Sequence, residues 1–314
     1  MDYTSYLGKR LAQLVPVLLG LTVVVFLMIH SIPGNTADAL LGDKGTPENV
    51  ARLTQQLGLD RPLPVQYLYF VKNLVSGDLG QSYRYGQPVQ ALLAARLGPT
   101  LFLTLYAVGL SVLISLPLSI LAAVRQNRWP DLAVRTLSLG GFVMPSYWVA
   151  LMLMLLFSIK LRILPLSGYG RSIPDHFRYL LLPAFTIAVA QAPVLIRPLR
   201  AKILATLRAD FVMTAWAKGV PASRVMLAHV LRNSLISTIT ILGVNIGWML
   251  GGAVIVETVF SVPGLGSLLI EAITKRDYPV VQGLTLCMAA MVMCMNLITD
   301  LVYTVLDPRV DYGK

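Results

Sequence analysis

The hydrophobic positions of this chain come in long unbroken runs rather than in alternation with polar ones. Six stretches, residues 11–37, 97–124, 136–159, 179–196, 233–256 and 278–299, hold no Asp, Glu, Lys or Arg at all. A hydrocarbon core about 30 Å thick is crossed by about 20 apolar helical residues. Lipid admits only helices and closed barrels, because each backbone polar group must find its partner within the structure. Barrel strands would alternate apolar and polar positions, and these runs do not. The pattern predicts an all-α membrane protein with six transmembrane helices. The first run follows Lys9-Arg10 and could pass for a signal peptide. No small-x-small cleavage site closes it and it is long enough to span, so it reads as an uncleaved first helix.

The segments between the runs divide the chain into residues 1–30 (N-terminus and first helix), an insertion at 31–96, and a core of helices two to six at 97–314. The insertion carries short amphipathic pieces at 47–57 and 65–74, broken by Gly and Pro. Gly77-Asp78-Leu79-Gly80-Gln81-Ser82 reads as a turn. It is too apolar for a free linker and too short for a large core, so it should pack on one face of the membrane domain. A basic hairpin at 125–131 places Trp129 at a membrane interface, where indoles are enriched. A loop with Gly168-Tyr169-Gly170 fills 160–178, and the longest polar loop is 197–232.

Composition sharpens this picture. The chain is 56% hydrophobic and 13% charged, where soluble domains carry about a quarter charged residues. Six spans put both termini on one side. With that side in the cytoplasm, 14 of the 26 basic residues lie inside, and six of the outer 12 sit in the insertion. Short loops decide orientation, so the termini are expected in the cytoplasm. The net charge of +11 is then a matter of lipid headgroups at helix ends and not of nucleic acid. Cys287 and Cys294 are seven positions apart on one expected helix, about 10.5 Å, too far for a disulfide. With His30, His176 and His229 scattered, no metal site is indicated.

Two constellations could carry chemistry. In the 197–232 loop, 195–207 and 210–218 have helical character, Gly219 can end a helix with positive φ, and Pro221 suits the first turn of a separate helix at 222–231. Val225, Met226 and Leu227 beside Arg224 give that helix an apolar face. Such a helix fits a groove on a partner or a lipid surface equally well. The second constellation is Gly251-Gly252-Ala253-Val254-Ile255-Val256-Glu257-Thr258-Val259-Phe260-Ser261-Val262-Pro263-Gly264-Leu265-Gly266. Paired glycines permit close helix approach, and broken backbone at membrane depth survives only where protein or a watery cavity surrounds it. Asp300, near the end of the sixth run, reads as a structural interfacial pair with Arg309 rather than a proton relay.

These strings resemble a known family. Asp210 to Ser234, DFVMTAWAKGVPASRVMLAHVLRNS, is similar to the cytoplasmic "EAA" loop of ABC importer permeases. The Gly251–Gly266 string resembles the signature of their dipeptide/oligopeptide/nickel branch. So do Arg276-Asp277-Tyr278-Pro279-Val280-Val281-Gln282-Gly283, Asp300…Tyr303…Asp307-Pro308-Arg309, the opening Ile29-His30-Ser31-Ile32-Pro33-Gly34 and the Gly77–Ser82 turn. The resemblance covers essentially the whole chain. Departures are Ala209-Asp210-Phe211 before the loop core, Trp216 where Arg is usual, Ser237 where Pro is usual, and Asn35 where Asp is usual.

The resemblance implies a type I ABC importer permease fold in a bacterial inner membrane. It implies a homologous second permease, two cytoplasmic ATPase subunits and an extracytoplasmic solute-binding protein as partners. It assigns Ala215, Ala217, Lys218, Gly219, Arg224, Val225, His229, Arg232 and Asn233 to coupling with the ATPase. It assigns Gly251, Gly252, Val256, Glu257, Phe260, Pro263 and Gly264 to the gate and translocation path. ATP and magnesium would be bound by the ATPase and no cofactor by this chain, which lacks a Gly-x-x-x-x-Gly-Lys-Ser/Thr loop. The implied cargo is a di- or oligopeptide, or nickel or a metal chelate. The competing class, an ion-coupled secondary transporter, calls for ionisable residues at mid-membrane, which these runs scarcely offer, and for internal repeats, which are not visible. An intramembrane enzyme would need a paired nucleophile and base, and none is seen.

Overall fold

A computed structural model describes residues 3–31, 46–56 and 60–306. Regular structure there is helical. α1 covers Tyr3–His30, α2 Pro47–Gln56, α3 Leu63–Val75 and α4 Val89–Val124. α5 (Trp129–Val143) precedes α6 (Ser146–Leu153), which runs on as a π-helical stretch, Met154–Lys160. Then come α7 (Ile173–Leu207), α8 (Asp210–Ala217), α9 (Ala222–Arg224), a second π-helical stretch (Val225–Leu231) and α10 (Arg232–Val259). α11 (Leu265–Thr274) and α12 (Tyr278–Leu306) complete the order. Ile32-Pro33-Gly34, Asn35 and Asp307-Pro308-Arg309 lie outside the described residues.

The expected six transmembrane helices are met unevenly. Among the described residues, four helices are long and apolar enough to cross a bilayer: α4, α7, Thr238–Val259 within α10 and Tyr278–Val302 within α12. The third expected span, 136–159, is instead a bent pair, α5 meeting α6 at 103°. The cause is Pro145, which drives Met144 to ψ 129 because a residue before proline avoids the helical region. α1 carries the first charge-free run, from Leu11 onward, on one helix, Tyr3–His30. α7 fuses the fourth span with the first part of the long loop. It starts on a Ser172–Asp175 capping box, which satisfies otherwise orphaned N–H groups.

The chain forms two compact units. The first comprises the described residues of Met1–Gly98 together with Leu268–Met293. In it the insertion packs on α1: Tyr67 and Phe70 surround Phe26, and the Thr22 hydroxyl lies 2.9 Å from the Tyr67 hydroxyl. Two motifs far apart in sequence meet here. The Asp277 carboxylate, 2% exposed, accepts from the Ser82 hydroxyl and, at 3.1 Å each, from the Tyr83 and Arg84 N–H groups. The turn that delivers them passes through Gly80 at φ +81, a region that costs glycine little. Burial, aided by the Asp277 charge, pushes the Tyr83 hydroxyl up to about 12.

The second unit comprises Pro99–Ser267 and the described part of Cys294–Lys314. Its main core joins Leu103 and Ala107 of α4, Ala150 of α6, Leu180 and Ile187 of α7, and Met249, Ala253 and Val256 of α10. Asp131, at the start of α5, is 1% exposed and takes two hydrogen bonds from Arg200 of α7. That pairing is what allows a charge to be buried there.

Candidate functional site

The loop after α7 is built as a small core with a hinge. α8 ends in a Schellman arrangement: the Gly219 N–H reaches the Trp216 carbonyl at 2.9 Å and the Val220 N–H the Ala215 carbonyl at 3.2 Å. The motif requires a left-handed residue after the helix, and Gly219 supplies φ +73. Pro221 then caps α9 and fixes its direction. Beneath the loop, Val212, Ala215, Val225, Val230 and Leu231 close on Leu199 and Ile203 of α7 and on Ala123 of α4.

This packing sorts the expected coupling residues. Ala217, Lys218, Gly219, Arg224, Arg232 and Asn233 are exposed, and His229 is half-buried. Ala215 and Val225 lie in the loop's own core, Val225 at 0% exposure. The exposed apolar side chains are Phe211, Met213 and Leu227 instead. Three consecutive apolar residues, Val225 to Leu227, carry no periodicity that says which turns inward. The Val212–Ala215 pair, spaced by three, was the available signal for the inward face of α8. Trp216 lines an open groove of about 510 Å³ with Leu204, Leu207 and Met226.

The separate helix expected at 222–231 does not end there. α9, the π-helical stretch and α10 follow one another without a break from Ala222 to Val259. The end of the loop and the fifth span therefore share one uninterrupted helical stretch.

The turn after α10 is organised by Glu257, which is fully buried. Its carboxylate accepts from the Thr100 hydroxyl at 2.6 Å and from the N–H groups of Gly266 at 2.8 Å and Ser267 at 3.1 Å, the first turn of α11. The Thr100 oxygen in turn accepts the Leu265 N–H at 2.8 Å. A carboxylate at a helix N-terminus meets both free N–H groups and a favourable dipole. The glycines of the Pro263-Gly264-Leu265-Gly266 turn follow from this contact. A Cβ on Gly264 would stand 2.3 Å from the Glu257 carboxyl carbon, and one on Gly266 would stand 2.5 Å from Val254 Cα.

The expected gate residues separate likewise. Val256 and Phe260 pack into the core of the second unit, on the face that α10 turns toward α4 and α7. Pro263 is half-buried and Gly264 buried. Gly251 and Gly252 point the other way, with nothing within 4 Å of an added Cβ. They continue an outward stripe with Val244, Trp248 and Ile255. Among the described residues no cluster of His, Cys, Asp or Glu could hold a metal ion.

Residues 115–312 match the family described as "Binding-protein-dependent transport system inner membrane component", and residues 3–104 match that family's N-terminal region. The chain is 40% identical over 313 residues to a Brucella ovis protein named as a peptide permease, covering 97% of this chain and 98% of that one. It is 38% identical over 308 residues to the glutathione transport system permease protein GsiC of Salmonella choleraesuis, covering 98% and 99%. The fold is similar to that of the MetNI methionine ABC transporter, with a TM-score of 0.55 at 14% identity over 69% of this chain and 97% of that one. The chain belongs to the binding-protein-dependent transport system inner membrane component family. It is a multi-pass permease subunit of an ABC importer, and ATP hydrolysis belongs to a separate subunit.

Proposed function

We propose that this chain forms half of a path for small peptides delivered by an extracytoplasmic solute-binding protein, paired with a homologous second permease and driven by two cytoplasmic ATPase subunits. Both termini and the 197–232 loop lie in the cytoplasm. The observation that carries the coupling reading is the uninterrupted helical stretch from Ala222 to Val259. A motor that displaces the exposed surface around Lys218, Arg224 and Leu227 moves the fifth span with it. The Glu257 contacts pass that movement to the turn at Pro263–Gly266. ATP and magnesium are held by the ATPase subunits and not by this chain.

Peptide cargo is favoured by relatives at 38–40% identity whose names specify peptides or glutathione, a tripeptide. Nickel or a metal chelate is the weaker reading. The test is uptake by the complex reconstituted with its binding protein. Labelled di- and tripeptides should enter with ATP and not with a non-hydrolysable analogue. Uptake driven by a proton or sodium gradient without ATP would overturn the proposal, and ATP-driven uptake of nickel but not peptides would reassign the cargo.

A further inference from the structure

Among the described residues, a cavity apart from the loop and the Glu257 turn has the chemistry of a binding site. It lies between the start of α5 and the second half of α7, has a volume of about 560 Å³, and is lined by Arg135, Arg197 and Arg200 with no acidic side chain in the lining. Asp131 neutralises Arg200 through two hydrogen bonds and also accepts the Asn127 N–H at 2.9 Å. Three guanidiniums against one carboxylate leave a surplus of two positive charges, on Arg135 and Arg197. Both of these side chains are exposed, while Arg200 is held in place. Asn127 and Thr136 add uncharged donors. Guanidinium groups match phosphate geometry in two-pronged hydrogen bonds.

The walls decide what kind of phosphate fits. Leu132 and Leu139 line the same cavity, on the α5 face that bears Arg135 and Thr136. Leu132, Leu139, Phe142 and Val143 are all exposed large apolar residues. They make an apolar track along the span from the charged end toward its middle. Trp129, 77% exposed at the first position of α5, sits where indoles mark the headgroup layer. A free phosphate would use the arginines and leave the track bare, whereas an amphiphile uses both. We infer that this cavity between α5 and α7 holds the headgroup of an anionic phospholipid, with an acyl chain along Leu132, Leu139 and Phe142.

The probe is phosphatidylglycerol titrated into the detergent-purified complex, with occupancy read by native mass spectrometry. Phosphatidylcholine and inorganic phosphate are the comparison arms. Phosphatidylglycerol should bind more tightly than phosphatidylcholine. Each basic residue near a lipid surface is worth about fivefold in affinity, so Arg135→Gln with Arg197→Gln should weaken binding about 25-fold. The Lys pair at the same positions should recover most of it. Arg171→Gln, outside the cavity, should change nothing. Should the double variant fail to assemble, Arg197→Gln alone reads the same quantity with the Asp131–Arg200 pair intact. Unchanged phosphatidylglycerol affinity in these variants, or equal weakening by Arg171→Gln, would overturn the site. Displacement of the lipid by equimolar inorganic phosphate would show a free-phosphate site and overturn the lipid assignment.

Discussion

A carboxylate taken out of water persists only when protein donors replace the water it loses, and at Glu257 the backbone of the next helix supplies them. Glu257→Ala strips an acceptor from the Thr100 hydroxyl and from two N–H groups, and each orphaned buried donor costs roughly 1–3 kcal/mol. The expected outcome is a marked drop in the thermal midpoint of the purified complex together with lost uptake, with Glu257→Gln intermediate because it keeps one acceptor oxygen. Wild-type melting of the Ala variant would show that the turn does not depend on this group. Gly219 offers a second test. Proline cannot adopt φ +73 and lacks the N–H given to Trp216, whereas asparagine tolerates left-handed backbone. Gly219→Pro should leave insertion intact and abolish ATP-driven uptake, and Gly219→Asn should retain most of it. Gly219's role was legible from its place before Val220-Pro221. Glu257's was not, because its partner Thr100 lies on another helix and nothing local in the chain marks the pair.

The elements themselves show why some of the fold was legible and some was not. Continuous apolar runs sufficed for α4, α7 and α12, but two junctions defeated the reading. Residues 136–159 hold no charge, so hydropathy counts one span, while Pro145 breaks the backbone into a pair bent by 103°. At the other junction, polar Arg232-Asn233-Ser234 looks like a loop boundary, yet the backbone stays helical through it. Ser234 closes its hydroxyl on the Val230 carbonyl at 2.8 Å and Thr238 on the Ser234 carbonyl at 3.2 Å, so the polar groups are satisfied without leaving the helix. The packing under the loop gives a paired prediction. Val225→Asp places an unpaired charge in the loop's core and should destabilise the permease itself, seen as lower membrane abundance before any partner is added. Leu227, 66% exposed, has no such core role. Leu227→Asp should leave abundance unchanged and reduce the ATPase subunit recovered with the complex, because a charge desolvated in an apolar contact is costly. Undiminished ATPase recovery from Leu227→Asp would place the docking surface elsewhere on the loop.

On the scale of the whole molecule, the outward stripe of α10 raises the question of what covers it in the assembled transporter. Gly251 and Gly252 sit in that stripe beside Trp248 and Ile255, and an added Cβ at either glycine meets nothing of its own chain within 4 Å. A larger residue there is therefore tolerated by the isolated fold, and any penalty must arise against a neighbour. If the second permease packs on this stripe, Gly252→Leu overfills a contact between helices, at roughly 1–3 kcal/mol. The penalty falls on whichever conformation brings the two helices closer. A cost of that size shifts a two-state equilibrium about 5- to 150-fold, enough to change how often hydrolysis is followed by transport. The expected outcome is a complex of normal abundance and melting point whose ratio of ATP hydrolysed to peptide moved departs from wild type. The measurement takes both rates from one reconstituted sample with the binding protein present. Matching rates on both counts would mean that lipid and not the partner permease covers the glycine pair, since lipid tails yield to a leucine without choosing between conformations.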